Sequence, residues 1–333
     1  MIQRESKMFV IDTHCDTPSQ ILRGRSLRID NETAHVDFPK LRRGGVDAAF
    51  FALYIPAELS VEEAFGYAER LLESLEAEVR ANSDIAAFAY SREQAYENKS
   101  NGLFSVFVGL ENASPIGESL ERLKYFYDRG VRYVTLCHSK DNLVCDSCAS
   151  VDKTWRGLSP FGKELVAEMN RIGMLIDVSH ISDEAFYDVL KYSTRPVVAT
   201  HSCCRALAGH PRNMTDDMIR ALSAKGGVIQ INFYPVFLDD NFKEDDMFTS
   251  PRPSYKKIVD HIDHVVALVG TDHVGLGSDF DGIDVTPEGM EDVSMIPKIF
   301  DEMRLRGYSE EDIEKVASLN FFNAFSFSGE ERS

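Results

Sequence analysis

The sequence predicts an α/β fold: a single (β/α)8 TIM barrel that takes in residues 1–333 as one domain. Short apolar runs rich in β-branched and aromatic residues alternate with amphipathic helical runs, as in a parallel sheet covered by helices. Eight such apolar runs occur, and each is followed by room for a helix. No change in composition marks a domain boundary, and barrels of this kind often extend over roughly 250 residues or more as one unit.

The eight predicted strands have almost continuous apolar sequences, which suits strands that are buried on both faces of a sheet. Periodicity alone does not show that such a sheet closes, so an open, doubly wound sheet is the alternative. In chain order the predicted strands are Phe9–Asp12, Ala48–Leu53, Phe104–Gly109, Tyr133–Leu136, Met174–Val178, Val197–Ala199, Val228–Ile231 and Val274–Leu276.

Capping residues mark several of the helices between these strands. Ser60 and Glu63 form a capping box sequence, and Ser159-Pro160 opens a helix that ends at Gly173. Thr215 caps another helix, and two more are predicted over Tyr255–Val269 and Glu310–Phe325.

Two connections are long: Lys140–Leu158 after the fourth strand and Tyr234–Pro253 after the seventh. Loops of that length are usually functional.

His261 and His264 are expected on a partly exposed helix face, and Cys145 and Cys148 are interpreted as ordinary loop thiols.

The charge balance excludes two classes of partner. With 36 basic and 54 acidic residues the formal net charge is −18, which opposes binding to nucleic acid and to an anionic membrane surface. Six cysteines do not form a disulfide framework pattern. The chain starts without a recognisable signal peptide and ends without a hydrophobic tail. We therefore expect a cytoplasmic protein with no membrane anchor.

Polar residues follow six of the eight predicted strands, where the side chains of a parallel barrel converge. Histidines and carboxylates at equivalent ends of separate strands are costly to bury without partners, and a bound cation would satisfy them together. The six segments are Asp12-Thr13-His14-Cys15-Asp16, Gly109-Leu110-Glu111-Asn112, Cys137-His138-Ser139, Val178-Ser179-His180, Thr200-His201-Ser202 and Gly277-Ser278-Asp279.

The ligand types favour zinc or another divalent transition ion over calcium. Three imidazoles and two carboxylates are too many for one catalytic zinc, which typically takes about three protein ligands. They suit two ions that share a bridging carboxylate, the arrangement of metal-assisted hydrolysis.

The sequence resembles the membrane (renal) dipeptidases and their bacterial relatives, which are zinc-dependent hydrolases built on a TIM barrel. The resemblance runs in family order from near residue 9 to near residue 325. The matching segments are Val10–Asp16, Gly109–Glu111, Tyr133–Ser139, Ile176–His180, Thr200–Ser202, Pro211–Asn213, Ile231–Tyr234 and Gly277–Gly282.

The resemblance implies a ligand set for two zinc ions per chain. His14 and Asp16 would hold one ion, and His180 and His201 would hold the other. Glu111 would bridge the two. Other divalent transition metals could take their place.

The resemblance also implies roles around the substrate. Asp279 would carry a proton from the water to the leaving amine and would lie near the substrate's amino group. His138 would stabilise the oxyanion, and Arg212 would bind the terminal carboxylate with Tyr234 beside it.

We therefore expect a zinc-dependent dipeptidase that accepts small dipeptides, including those with a C-terminal D-residue. Because barrels of the family it resembles are often dimers, a homodimer is also expected. One alternative is a dinuclear amidohydrolase acting on a cyclic amide, lactone or phosphoester, although such barrels usually open with His-x-His rather than His14-x-Asp16. A second alternative is a barrel that binds metal or peptide without catalysis.

Overall fold

The computed structural model describes residues 8–329, so the expectations about a leader in residues 1–7 and about a tail in residues 330–333 lie outside the described part. Within residues 8–329, none of the helices combines the length and the apolar character needed to cross a bilayer.

Eight parallel strands follow one another around the molecule, and a ninth, β3, lies beside the beginning of β4. The order of hydrogen-bonded strands is β1-β2-β4-β5-β6-β7-β8-β9. Their bounds are β1 Ile11–Cys15, β2 Ala48–Tyr54, β3 Ala86–Phe88, β4 Phe104–Glu111, β5 Val131–Thr135, β6 Leu175–Asp177, β7 Val198–Ser202, β8 Val228–Ile231 and β9 Val274–Leu276.

The last strand returns to the first and nearly closes the sheet. The amide of Asp16 donates to the carbonyl of Phe280 at 2.9 Å, and the amide of Asp279 donates to the carbonyl of His14 at 3.0 Å. These bonds join β1 to the segment just after β9. The predicted TIM barrel is confirmed, and the open doubly wound sheet is wrong.

Helices cover the outside of the barrel, and the predicted caps of α3, α6 and α8 are present. Short 3₁₀ turns occupy Ser114–Ile116, Glu244–Asp246, Thr271–His273 and Val293–Met295. The α-helices are α1 Thr17–Leu22, α2 Phe38–Arg43, α3 Val61–Ala81, α4 Arg92–Ser100, α5 Leu120–Asp128, α6 Pro160–Ile172, α7 Asp183–Tyr192, α8 Asp216–Ala224, α9 Pro235–Leu238, α10 Lys256–Val269, α11 Pro297–Leu305, α12 Glu310–Glu314 and α13 Asn320–Gly329.

Two expectations about the helices need correction. The helix predicted over Glu310–Phe325 is interrupted by a π-helical turn at Lys315–Leu319, between α12 and α13. His261 is fully buried rather than partly exposed, because its ring fills the space between the Cys204 amide and the Leu238 carbonyl. His264 is partly exposed, as expected.

Aromatic side chains fill the lower part of the barrel interior, and α13 closes that end. Phe50 packs edge-on against Phe321 and Phe325, and its ring is stacked on that of Phe107. Higher in the barrel, Tyr133 is completely buried. This packed floor leaves the opposite end, where the strands end, as the open face of the barrel.

Both predicted long connections are present. The chain between β5 and α6 contains no helix and is held by bridges from Cys145 to Leu158 and from Ser147 to Ile181. The connection after β8 contains α9 and one 3₁₀ turn. Both connections start at the end of the barrel where the polar residues converge.

Candidate metal centre and active site

Five buried or largely buried side chains meet at the carboxyl ends of the strands. Three of the strands extend further than their apolar runs indicated, so His14 lies within β1, His201 lies within β7 and Glu111 is the last residue of β4. Asp16 directly follows β1, and His180 lies three residues beyond β6. The structure therefore brings together all five residues that the resemblance assigned to metal.

Glu111 lies at the centre of this group, and its two oxygens face different imidazoles. Its Oε2 is 3.4 Å from Nε2 of His14. Its Oε1 is 3.1 Å from Nε2 of His180 and 3.3 Å from Nε2 of His201. On the first side, His14 Nε2 also lies 3.7 Å from Oδ1 of Asp16. The Glu111 carboxylate thus lies between a first cluster of donor atoms, from His14 and Asp16, and a second cluster, from His180 and His201.

Several of these atoms have no hydrogen-bond partner although they are buried: His14 Nε2, Asp16 Oδ1 and Glu111 Oε2. Unpartnered buried polar atoms are costly, and a cation would satisfy all three. Donor atoms within 4.8 Å of one another form three overlapping groups that could hold a metal: His14 with Glu111 and His201, Glu111 with His138 and His180, and His14 with Asp16 and Asp279. The donor chemistry therefore fits a metal cofactor.

The electrostatics of Glu111, His180 and His201 also suit metal ligation. Burial raises the pKa of Glu111, but the facing imidazoles of His14, His180 and His201 outweigh it and hold that pKa well below the usual range. Burial, followed by nearby charges including Arg212, lowers the pKa of His180 and of His201 well below 6.5. Both rings are then neutral, which is the form that binds a metal.

Two residues of the centre have an unusual backbone. His180 has φ of 71° and Asp279 has φ of 65°, in the left-handed region that few residues other than glycine adopt. Such conformations persist only where the surroundings impose them, and they are concentrated at functional sites. Here they turn both side chains into the barrel mouth.

Asp279 lies three residues beyond β9, and its carboxylate is within 4.8 Å of donor atoms of His14 and Asp16. Its Oδ2 accepts a hydrogen bond of 2.8 Å from Nδ2 of Asn232. Burial raises the pKa of Asp279 to about 6, with His14 lowering it and Glu111 raising it. Gly282 lies against this carboxylate and that of Asp16: a Cβ there would be 1.9 Å from Asp16 Oδ2 and 2.8 Å from Asp279 Oδ1.

His138 borders the second cluster. Its Nε2 is 3.9 Å from Oε1 of Glu111, its ring centroid is 4.2 Å from that of His180, and its Nδ1 has no partner. Burial lowers the pKa of His138. Tyr54, the last residue of β2, packs edge-on against this imidazole with centroids 5.0 Å apart.

Arg212 is buried beside the centre and retains unused donors. Its Nη1 donates to Ser202 Oγ at 2.7 Å and its Nη2 donates to the carbonyl of His201 at 2.6 Å, while Nε has no partner. Tyr234 does not lie directly against this guanidinium in the described contacts. The ring of Phe237 lies 5.0 Å from that of Tyr234 and 5.9 Å from the Arg212 guanidinium, and so contacts both.

Some residues of the site carried no functional prediction. Asn232 lies in a segment that resembles the family, but its bond to Asp279 depends on a contact between two strands. Tyr54 follows an entirely apolar run, and only its position at the end of β2 indicates that it faces the site. The two loop thiols, Cys145 and Cys148, are free, as are the four other cysteines.

A TIM barrel with histidines and carboxylates gathered at the ends of its strands defines the class as a metal-dependent hydrolase. The sequence profile of the membrane dipeptidase family (peptidase family M19) matches residues 2–328. The chain is 36% identical over 294 residues to dipeptidase tcpJ of Claviceps purpurea, covering 86% of this chain and 67% of that protein.

Solved structures agree with this match. The probable dipeptidase PvdM from Pseudomonas aeruginosa superposes with a TM-score of 0.89 at 27% identity, over 97% of this chain and 96% of that one. A metallopeptidase from Rhodobacter sphaeroides, solved with a phosphinate mimic of the dipeptide L-Ala-D-Ala, also gives 0.89 at 27% identity, over 97% and 100%. The chain belongs to the membrane dipeptidase family, and it is a metal-dependent dipeptidase.

Proposed function

We propose that the chain hydrolyses small dipeptides with two zinc ions held on either side of Glu111. The observation that carries this proposal is the division of the Glu111 carboxylate, with Oε2 toward His14 and Oε1 toward His180 and His201. Asp16 completes the first ligand group. When bound, two such ions supply a water of lowered pKa and polarise the scissile carbonyl.

Asp279 is the proton carrier in this proposal. It is the remaining carboxylate of the candidate ligand groups, and its hydrogen bond from Asn232 occupies Oδ2 and leaves Oδ1 without that partner. It accepts the proton that the attacking water loses and delivers it to the leaving amine. The same carboxylate lies where it can attract the substrate's ammonium group.

Two other side chains, His138 and Arg212, bind the rest of the dipeptide. His138 donates to the carbonyl oxygen as negative charge develops on it, a role supported by its place beside Glu111 and His180. Arg212 binds the terminal carboxylate through its unused N–H groups, for which a planar guanidinium has the right geometry. Tyr234, linked to Arg212 through Phe237, lines the same end of the site.

We also infer that dipeptides with a C-terminal D-residue are substrates. The support is the similarity, at 27% identity over almost the whole chain, to a metallopeptidase solved with a mimic of L-Ala-D-Ala. A cytoplasmic location and a homodimer remain part of the proposal. Six free cysteines suit a reducing compartment, and sedimentation of the purified chain measures its assembly.

Metal analysis together with a substrate panel tests the function. We expect two zinc ions per chain and turnover of L-Xaa-L-Xaa and L-Xaa-D-Xaa dipeptides, but not of tripeptides. A dipeptide with its C-terminal carboxylate amidated serves as the matched control, because it lacks the group assigned to Arg212. Absence of dipeptide turnover from metal-loaded protein, or turnover of dihydropyrimidines or lactones instead, would contradict the proposal.

The Asp279→Asn variant tests the proton carrier separately. Asparagine keeps the size and the contact with Asn232 but cannot take up a proton, so we expect kcat to fall by about 10²- to 10⁴-fold with the zinc content unchanged. Full turnover by this variant would show that another group carries the proton.

A further inference from the structure

Asp177, at the end of β6, is a fully buried carboxylate whose acceptor positions are all used. Its Oδ1 accepts from the amides of Ser179 at 3.0 Å and Thr200 at 2.8 Å. Its Oδ2 accepts from the hydroxyls of Thr135 at 2.5 Å and Thr200 at 2.7 Å. No substrate or catalytic role has been given to it above. It nevertheless bonds to Ser179 and Thr200, the residues that directly precede the proposed ligands His180 and His201.

The contact with Thr200 fixes the direction of a hydrogen-bond chain. A carboxylate only accepts, so the single hydroxyl hydrogen of Thr200 points at Asp177. Thr200 Oγ1 also lies 2.8 Å from Nδ1 of His201. Because its hydrogen is already committed, Thr200 can only accept there, and His201 must carry its proton on Nδ1.

The direction of this hydrogen bond determines whether Nε2 of His201 carries a lone pair or a hydrogen. With the proton on Nδ1, the neutral ring has a lone pair on Nε2, the atom that lies 3.3 Å from Glu111 Oε1 and 2.9 Å from His180 Nε2. A metal ligand needs that lone pair. The opposite tautomer would place a hydrogen in the middle of the ligand group.

The same carboxylate also sets the neighbouring ligand. Its bond to the Ser179 amide holds the turn that leads into His180, whose backbone has φ of 71°. The Ser179 hydroxyl in turn accepts from the His201 amide at 3.2 Å. At His14 the nearer partner of Nδ1 is the hydroxyl of Tyr133 at 2.8 Å, with the Thr200 hydroxyl farther away at 3.5 Å.

We propose that Asp177 is a positioning residue that selects, through the hydroxyl of Thr200, the metal-binding tautomer of His201. The proposal rests on the proposed function in one respect, that His201 is a zinc ligand. The selection of the tautomer itself does not require a metal, so it can be measured in metal-free protein.

The Asp177→Asn variant reverses the chain without changing its shape. Two backbone amides need an acceptor at the Oδ1 position, so the asparagine oxygen takes that place and its NH₂ faces the two threonine hydroxyls. Thr200 then accepts from Asn and turns its hydrogen toward His201. We expect the proton of His201 to move to Nε2 and the affinity for the second zinc to fall about 10- to 100-fold.

Two threonine variants keep the test open if Asp177→Asn does not fold. Thr200→Val removes the hydroxyl and should also weaken the second zinc, whereas Thr200→Ser keeps the hydroxyl and should restore wild-type affinity. Thr135→Val is the matched control: it removes one bond to Asp177 but leaves the path to His201 intact, so it should retain the second zinc.

Long-range ¹H–¹⁵N spectra of metal-free, ¹⁵N-histidine-labelled protein identify the protonated nitrogen, with the His201 signal assigned by its loss in His201→Gln. Zinc competition with a chelator gives the affinities. An unchanged tautomer in Asp177→Asn, or unchanged zinc affinity in Thr200→Val, would overturn the inference. If wild-type protein bound no second zinc, the proposed function would fail, while the spectra would still decide the tautomer.

Discussion

At the level of single residues, Gly282 is a position where the site has no room for an added methyl group. A Cβ there would overlap Asp16 Oδ2 at 1.9 Å, so one carboxylate must move. Misplacing a reacting group by about 1 Å can cost roughly 10²-fold in rate, and we expect Gly282→Ala to lower kcat/KM by about that factor and to lose one zinc. Gly66→Ala adds the same methyl on α3, where the nearest atom is 3.8 Å away; equal effects of the two changes on zinc content would contradict the argument.

Polar residues after the predicted strands, together with the family resemblance, were enough to name nine candidate site residues, and the structure gathers them at one end of the barrel. The contacts that orient them were not predictable. Asp177 and Asn232 act through hydrogen bonds between strands that are distant in sequence. The left-handed backbone of His180 and Asp279 leaves no trace in residue type, because the surrounding fold imposes it.

At the level of elements, Arg205 holds the loop between β7 and α8 that presents Arg212. Its guanidinium makes two bonds of 2.7 Å to the Asp183 carboxylate on α7. It also donates to the carbonyls of Asn213 at 2.7 Å and Pro211 at 3.0 Å, on either side of Arg212. Lysine cannot make these contacts together.

We therefore expect Arg205→Lys to raise KM for dipeptides several-fold, because Arg212 is less firmly positioned, while kcat changes little. Steady-state kinetics measure the split between the two constants. The amidated dipeptide, which lacks the carboxylate, should lose little by comparison. A fall in kcat with unchanged KM would mean that Arg205 acts on the centre and not on the loop.

Elements were predictable where the sequence pattern is long. Every predicted strand is present, but the three-residue β3 was missed, since Ala86–Phe88 is too short to show a period. The polar ends of β1, β4 and β7 extended beyond the predictions because polar residues continue the strand into the site. The π-helical turn at Lys315–Leu319 contains neither proline nor glycine, so no breaker residue indicates it in the sequence.

For the molecule as a whole, His261 makes stability depend on pH. Its Nδ1 accepts from the Cys204 amide at 3.0 Å, so its Nε2 carries the proton toward the Leu238 carbonyl. Burial lowers the pKa of His261 to about 4, below the value of about 6.5 in an unfolded chain. Between those values the unfolded state binds more protons, so the free energy of unfolding falls as the pH drops from 6.5 to 4 and is retained in full above 6.5.

Protonation of His261 lowers the free energy of unfolding by at most about 3 kcal/mol over this pH range. His261→Asn keeps an acceptor near the Cys204 amide but does not titrate in this range. Urea unfolding of both proteins at several pH values should show a difference in stability that shrinks as the pH falls from 6.5 to 4. A constant difference across that range would mean that the buried ring is not responsible.

Metal removal should destabilise the whole barrel, because the centre brings together the carboxylates of Asp16, Glu111 and Asp279, which repel one another without a cation. Burial, together with Glu111 and Asp279, raises the pKa of Asp16 well above its usual value, which reflects carboxylates crowded in a chain whose net charge is already −18. A ligand present at a hundred times its Kd stabilises the folded state by about 2.7 kcal/mol. For a chain of this length that corresponds to roughly 4 °C in Tm for each ion.

We therefore expect chelation to lower Tm by several degrees and added zinc to restore it. The His201→Ala variant is the control, since a protein that has lost one ligand group should show a smaller shift on chelation. Calorimetry of the zinc-loaded and chelated forms measures both shifts. Identical melting of the two wild-type forms would mean that the gathered carboxylates and imidazoles do not bind a stabilising cation.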